Sequence, residues 1–124
     1  MNVVDSSGWL EYFADESNAE FFAPAIENAA DLVVPTIGIY EVFKRVHQQR
    51  GEDAALRAVM VMMQGRVIDL DAALALNAAK ISLNLKIPMA DSIMLATARA
   101  HDATLWTQDE HFKHISDVQY VEKR

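Results

Sequence analysis

The chain has 124 residues, the length of one ordinary domain, and its 52% hydrophobic content with only 4 Gly and 3 Pro excludes a disordered polypeptide. Cysteine is absent, which removes disulfide staples, thiolate metal sites and a cysteine nucleophile. Eleven Lys+Arg against 18 Asp+Glu give a net charge of −7, the wrong sign for a broad basic surface that wraps nucleic acid.

The first residues, Met1–Ser7, carry an acid and no Lys or Arg, unlike a secretory leader. The apolar stretches Leu32–Tyr40 and Ile87–Ala98 are shorter than the roughly 20 residues a membrane span needs, and Asp91 interrupts the second. A cytoplasmic protein without membrane contact is the expectation. No repeat or Pro/Gly/Ser-rich linker divides residues 1–124, so a single domain is expected.

Asn2–Val4 reads as a short strand running into a turn at Asp5-Ser6-Ser7-Gly8, after which Trp9, Leu10 and Phe13 form a helical stripe. Ser17-Asn18-Ala19-Glu20 has capping-box spacing and opens a helix with Phe22, Ala25, Ile26 and Ala29 on one side. Leu32–Pro35 is a second strand; Thr36 is placed to cap a helix through Ile39, Phe43 and Val46 to about Gly51. Leu56, Val59, Met60 and Met63 mark the next helix, with Gly65 as its stop. Val67–Leu70 reads as a strand, and Asp71 caps a helix striped by Leu74, Ala78, Ile81 and Leu85. Pro88 opens a helix through Ile93, Ala96, Thr97 and Ala100. Thr104–Thr107 is a strand, a helical turn comes after Asp109, and Val118–Val121 is the last strand. Strands alternating with helices predict a three-layer α/β/α sandwich around a small, mainly parallel sheet.

Ligands of open α/β sheets bind beyond the carboxyl ends of the strands. Four acids fall near such ends: Asp5 after the first strand, Glu41 in the helix after the second, Asp91 just past Pro88, and Asp109 after Thr107-Gln108. Three have ordinary explanations. Asp5 and Asp109 are placed to cap the helical segments after them, and Glu41 stands three and four residues before Lys44 and Arg45, the spacing of a surface ion pair. Asp91 fits a structural role least, being the single charge between Ile87 and Ala98. A buried carboxylate takes up a proton or needs a partner, and a cation shared among converging acids meets that need. Mg²⁺ or Mn²⁺ suits such an oxygen-rich site.

Four blocks of sequence, taken together, resemble the PIN-domain family, and within it the VapC-type ribonuclease toxins of toxin–antitoxin pairs. They are Val3-Val4-Asp5-Ser6-Ser7-Gly8-Trp9-Leu10; Val34-Pro35-Thr36 leading to Tyr40-Glu41-Val42-Phe43-Lys44-Arg45; Ile87-Pro88-Met89-Ala90-Asp91 through Ala98; and Leu105-Trp106-Thr107-Gln108-Asp109-Glu110-His111-Phe112. The resemblance implies that Asp5, Glu41, Asp91 and Asp109 form the family's catalytic, metal-binding set, with Ser6 and Thr107 as supporting polar positions. It implies an Mg²⁺- or Mn²⁺-dependent endoribonuclease in which a metal-activated water attacks phosphorus in line and leaves a 5′-phosphate. It further implies an RNA substrate, a VapB-type antitoxin partner and a homodimer. The chain departs from some relatives in carrying His111 where they have a further acid, which leaves a second metal open.

Lys44, Arg45 and Lys113 are candidate phosphate contacts, though each also reads as a solvated basic side chain. His111 and His114 lack a third ligand in register for zinc. The six Met read as core filler or part of a partner surface, and Trp9, Tyr12, Phe13, Phe21 and Phe22 as core or as an antitoxin groove. Two other readings stand beside the nuclease: a phosphoacceptor receiver domain using Asp69, and a catalytically inactive PIN-like binding module.

Overall fold

The computed structural model describes residues 1–124. Its strands are β1 (Asn2–Val4), β2 (Val33–Pro35), β3 (Arg66–Ile68), β4 (Thr104–Thr107) and β5 (Val118–Tyr120). The helices are α1 (Ser6–Phe13), α2 (Ala19–Glu27), α3 (Thr36–Arg50), α4 (Glu52–Met62), α5 (Ala72–Leu85) and α6 (Met89–Ala100), with short 3-10 turns at Ala29–Asp31 and Glu110–Phe112. All pairings are parallel: β1 with β4, β4 with β5, and β2 with β3. A parallel bridge between Asn2 and Leu32 joins the two parts, giving the order β3-β2-β1-β4-β5 with β1 at the centre.

Period-two alternation sorts the strand residues onto two faces. Val4, Leu32 and Val34 pack with Trp9, Phe22, Ala25, Ile26, Val42 and Val46 under α1–α4. Val3, Val33 and Leu105 pack with Met94, Leu95, Ala98 and Phe112 under α6, and α5 adds Leu74 and Ala78 against Ile93 and Ala96. The expected α/β/α layering is therefore present. The receiver alternative fails on topology, because its strand order is 2-1-3-4-5 with the third strand inside the sheet, whereas here β3 is an edge.

Several local expectations change. Helix α1 starts at Ser6 directly after the strand, so the expected turn is the helix's own first turn. The capping box at Ser17–Glu20 does not form: Asn18 is the N-cap, but its amide donates to Gln108 Oε1 (2.9 Å) and to the Glu122 carbonyl (3.0 Å). Thr36 is the first residue of α3, behind Pro35 in the cap position, and makes no cap bond. Asp71 does cap α5, accepting from Leu74 N at 2.9 Å. The expected stripe of α4 lies largely outward: Leu56, Met60 and Met63 are exposed, while Ala55, Ala58 and Met62 face α3 and the sheet. Small residues let the two helices approach closely, so the apolar period alone chose the wrong face. The aromatic first helices are core as well, with Trp9 and Phe22 fully buried.

Gly8 is a packing requirement. A Cβ there would stand 2.6 Å from the Phe22 ring and 2.8 Å from Val4 Cγ1, and neither side chain has room to retreat. Gly8→Ala is expected to cost about 1–3 kcal/mol despite alanine's better helix propensity. A lowered urea midpoint with unchanged slope is the expected result; an unchanged midpoint contradicts this packing.

Candidate functional site

The site grows out of the β1–β4 pairing. Val4 is in register with Trp106, and Asp5 N donates to the Trp106 carbonyl at 2.9 Å, so the chain leaves both strands with Asp5 beside Thr107. Thr107 Oγ1 donates to Asp5 Oδ2 (2.9 Å) and accepts from Asp109 N (2.9 Å), linking two acids through one hydroxyl. Ser7 Oγ also donates to Asp5 Oδ2 at 2.9 Å. Although Asp5 occupies the N-cap position of α1, its carboxylate caps nothing; it is buried and turned to these hydroxyls.

Glu41 sits in the second turn of α3, which begins at the carboxyl end of β2. Ser6 Oγ donates to Glu41 Oε1 at 2.6 Å, tying α1 to α3. No ion pair with Lys44 or Arg45 forms, which removes the surface-pair explanation for Glu41. Asp91 lies in the first turn of α6 and is only 9% exposed. Asp109 accepts from His111 N at 2.9 Å, so its capping role is real. The same turn brings His111 Nδ1 to 2.9 Å from both Asp109 Oδ1 and Asp91 Oδ2. Neither of these ring contacts has hydrogen-bond geometry, and the buried Asp91 Oδ2 has no hydrogen-bond partner. One donor atom each from Asp91, Asp109 and His111 lie within 4.8 Å of one another.

Burial is the main cause that pushes the Asp5 carboxyl up to about 6, with the charges of Asp109 and Glu41 adding and the Ser7 and Thr107 hydrogen bonds partly offsetting. Asp91 is raised as well, chiefly by desolvation, then by Asp109 and Asp5, with His111 acting against the rise. The four acids thus share one field, although only Asp91 and Asp109 are in direct reach of one ion with His111. No Lys or Arg lies within ion-pair distance of any of the four. A buried, donorless carboxylate oxygen facing a second carboxylate is an arrangement that a cation satisfies, so the residues fit a divalent ion.

Two clefts adjoin this edge. One of about 460 Å³ is lined by Ser7, Asp109, His111, Lys113 and Lys123 among others. The other, about 330 Å³, is lined in part by Ser7, Arg45, Arg50, Gln108 and Lys123. Lys113 lines the cleft that holds Asp109, and Arg45 lines the other. Lys44 lines neither: its ammonium lies 5.8 Å from the Tyr40 ring centre, in a separate hollow with Ile39 and Phe43. The sequence reading missed Lys123, which lines both clefts and carries no motif. It also missed the buried Asn18–Gln108 pair, in which Gln108 Nε2 reaches Glu11 Oε1 at 3.1 Å and joins α1 to the β4 exit.

The PIN domain family model matches residues 3–118. The chain belongs to the PIN domain family. A search of curated proteins returns no significant match. Among solved structures it is similar to a toxin–antitoxin complex from Klebsiella pneumoniae (20% identity, 95% of each chain covered, TM-score 0.80). It is similar to VapC20 of Mycobacterium tuberculosis, a toxin that cleaves the sarcin–ricin loop (16% identity, 96% of this chain and 98% of that one, TM-score 0.80). It is also similar to FitAcB of Neisseria gonorrhoeae (19% identity, 97% and 96% covered, TM-score 0.71). At these identities the likeness establishes the fold.

The raised pKa of Asp5 fixes a sign. Its folded value of about 6 exceeds the ordinary 3.8, so its contribution to stability is fully present below about pH 4 and is lost as pH rises through 6. The full difference amounts to about 3 kcal/mol. In chelator, the thermal midpoint is expected to rise as pH falls from about 7 to about 5, and Asp5→Asn is expected to flatten that slope. An equally steep slope in the variant contradicts a desolvated Asp5.

Proposed function

We propose that this protein is a metal-dependent endoribonuclease, the toxin of a toxin–antitoxin pair. Asp5, Glu41, Asp91 and Asp109 would hold Mg²⁺ or Mn²⁺. The observation that carries the reading is the buried, donorless Asp91 Oδ2 facing Asp109, at the carboxyl edge of a PIN-family sheet. A divalent ion there would supply Lewis-acid activation of water and neutralise charge developing on a cleaved phosphodiester. The chain's own residues do the positioning. Thr107 and Ser7 hold the Asp5 carboxylate toward the centre, and Ser6 holds Glu41. Asp91 is fixed by the first turn of a helix buried along eight consecutive residues. Lys113, Lys123 and Arg45, which line the adjoining clefts, would hold RNA phosphates.

The similar structures include a toxin–antitoxin complex and a VapBC2 from Rickettsia felis bound to promoter DNA, which supports a VapB-type antitoxin partner here. Exposed apolar side chains supply area for that partner and for a homodimer: Leu56, Met60 and Met63 on or beside α4, and Leu76, Leu83 and Met89 on α5 and α6. No helix is long and apolar enough to cross a membrane.

Purified protein incubated with total cellular RNA is expected to cut it when Mg²⁺ or Mn²⁺ is supplied, to leave it intact in chelator, and to produce 5′-phosphate ends. Asp5→Asn and Asp91→Asn are each expected to lower the rate by about 10² or more while the circular dichroism spectrum is retained. Undiminished cleavage in both variants, or 2′,3′-cyclic phosphate products, would sink the reading. Tight Mn²⁺ binding by calorimetry with no cleavage of any RNA would favour the inactive binding module instead.

A further inference from the structure

His111 occupies a position that the acid set does not explain. Its ring is half-exposed, so burial does not force it inward, yet Nδ1 lies 2.9 Å from Asp91 Oδ2 and 2.9 Å from Asp109 Oδ1. The backbone holds it there: the Glu110–Phe112 turn is closed by Asp109 accepting from His111 N at 2.9 Å. Two donors bound side by side on an octahedral ion, each at about 2.1 Å, stand about 3 Å apart. The nitrogen and the two carboxylate oxygens already have that spacing. Asp91 Oδ2, about nine-tenths buried with its residue, has no hydrogen-bond donor of its own and faces the same point. No Lys or Arg competes for either carboxylate.

We infer that His111 is itself a metal ligand, through Nδ1, so that the centre takes first-row transition ions such as Mn²⁺ or Co²⁺ in preference to Mg²⁺. This rests on the metal-site reading of the same acids and adds the ligand that decides which ion they hold. Ligation at Nδ1 uses the neutral tautomer, with the ring proton on Nε2. Mg²⁺ takes hard oxygen ligands and loses water reluctantly, whereas an imidazole nitrogen suits the transition series, with affinity rising from Mn²⁺ to Co²⁺ and beyond. An imidazole set between two carboxylates thus becomes a choice of metal.

The test uses the full chain and Co²⁺, Mn²⁺ and Mg²⁺ as separate probes in calorimetry, with wild type, His111→Asp, His111→Ala and Asp91→Asn. Wild type is expected to bind Co²⁺ more tightly than Mg²⁺. His111→Asp, which restores an oxygen donor, is expected to narrow the Co²⁺:Mg²⁺ affinity ratio by about tenfold or more, and His111→Ala to weaken Co²⁺ selectively. Bound Mn²⁺ is expected to show nitrogen coupling in pulsed electron paramagnetic resonance that both His111 variants lose. Ions that bind wild type and are lost in Asp91→Asn, with an unchanged ratio in His111→Asp and no nitrogen coupling, overturn this inference alone. A wild type that binds none of the three ions overturns the metal-site reading with it.

Discussion

The site is organised around a carboxylate buried at the seam of two parallel strands. Asp5 has no cation beside it, and taking its charge out of water pushes the carboxyl's pKa up to about 6. Its neighbours limit that cost without removing it. Two hydroxyls donate to one oxygen, and one of those hydroxyls also takes the Asp109 N–H, so the two acids share a hinge. A fold selected for stability alone would place an apolar residue or an asparagine there. Retaining a destabilising carboxylate, with a second raised carboxylate at Asp91, is the pattern of a functional site rather than of a structural ion pair.

That arrangement depends on the sheet being parallel with β1 at its centre. Parallel strands deliver all their carboxyl ends to one edge, and the order β3-β2-β1-β4-β5 sets the exits of β2 and β4 on either side of Asp5. Helix α3 leaves β2 and turns Glu41 back toward Ser6, while α6 packs against β1 and brings Asp91 in with its first turn. Acids that are 36, 86 and 104 residues from Asp5 in sequence are thereby brought into one electrostatic field.

Much of this was legible in the sequence because it depends on local pattern. Short apolar runs ending in polar residues marked the strands, and Asp71 and Pro88 marked helix starts that the structure retains. The failures share a cause in tertiary competition. Asn18 has the neighbours of a capping box but is drawn to Gln108 and Glu122, 90 and 104 residues away, because a buried amide must satisfy partners wherever the fold supplies them. The stripe on α4 misled because alanines, invisible to a count of large apolar residues, face the close α3 contact. At the candidate site, the sequence shows acids near strand ends but not how they meet. That Asp5 turns away from its own helix, that Lys44 lies over Tyr40, and that His111 folds back between two carboxylates are consequences of chain crossing rather than spacing.

The net charge acquires a different meaning in that light. Setting the four site acids aside leaves 14 acidic residues against 11 basic ones, so most of the apparent excess sits at one edge of one sheet. Unneutralised, that edge repels a phosphate backbone, and the basic side chains along the clefts, Arg45, Arg50, Lys113 and Lys123, are too few to reverse it over any distance. In the proposed activity the four acids would hold the ion ahead of the substrate, and their neutralisation would let a phosphate approach the same edge. An acidic total argues against a protein that coats nucleic acid. It is compatible with one that engages a single phosphodiester through a cation that its acids have gathered.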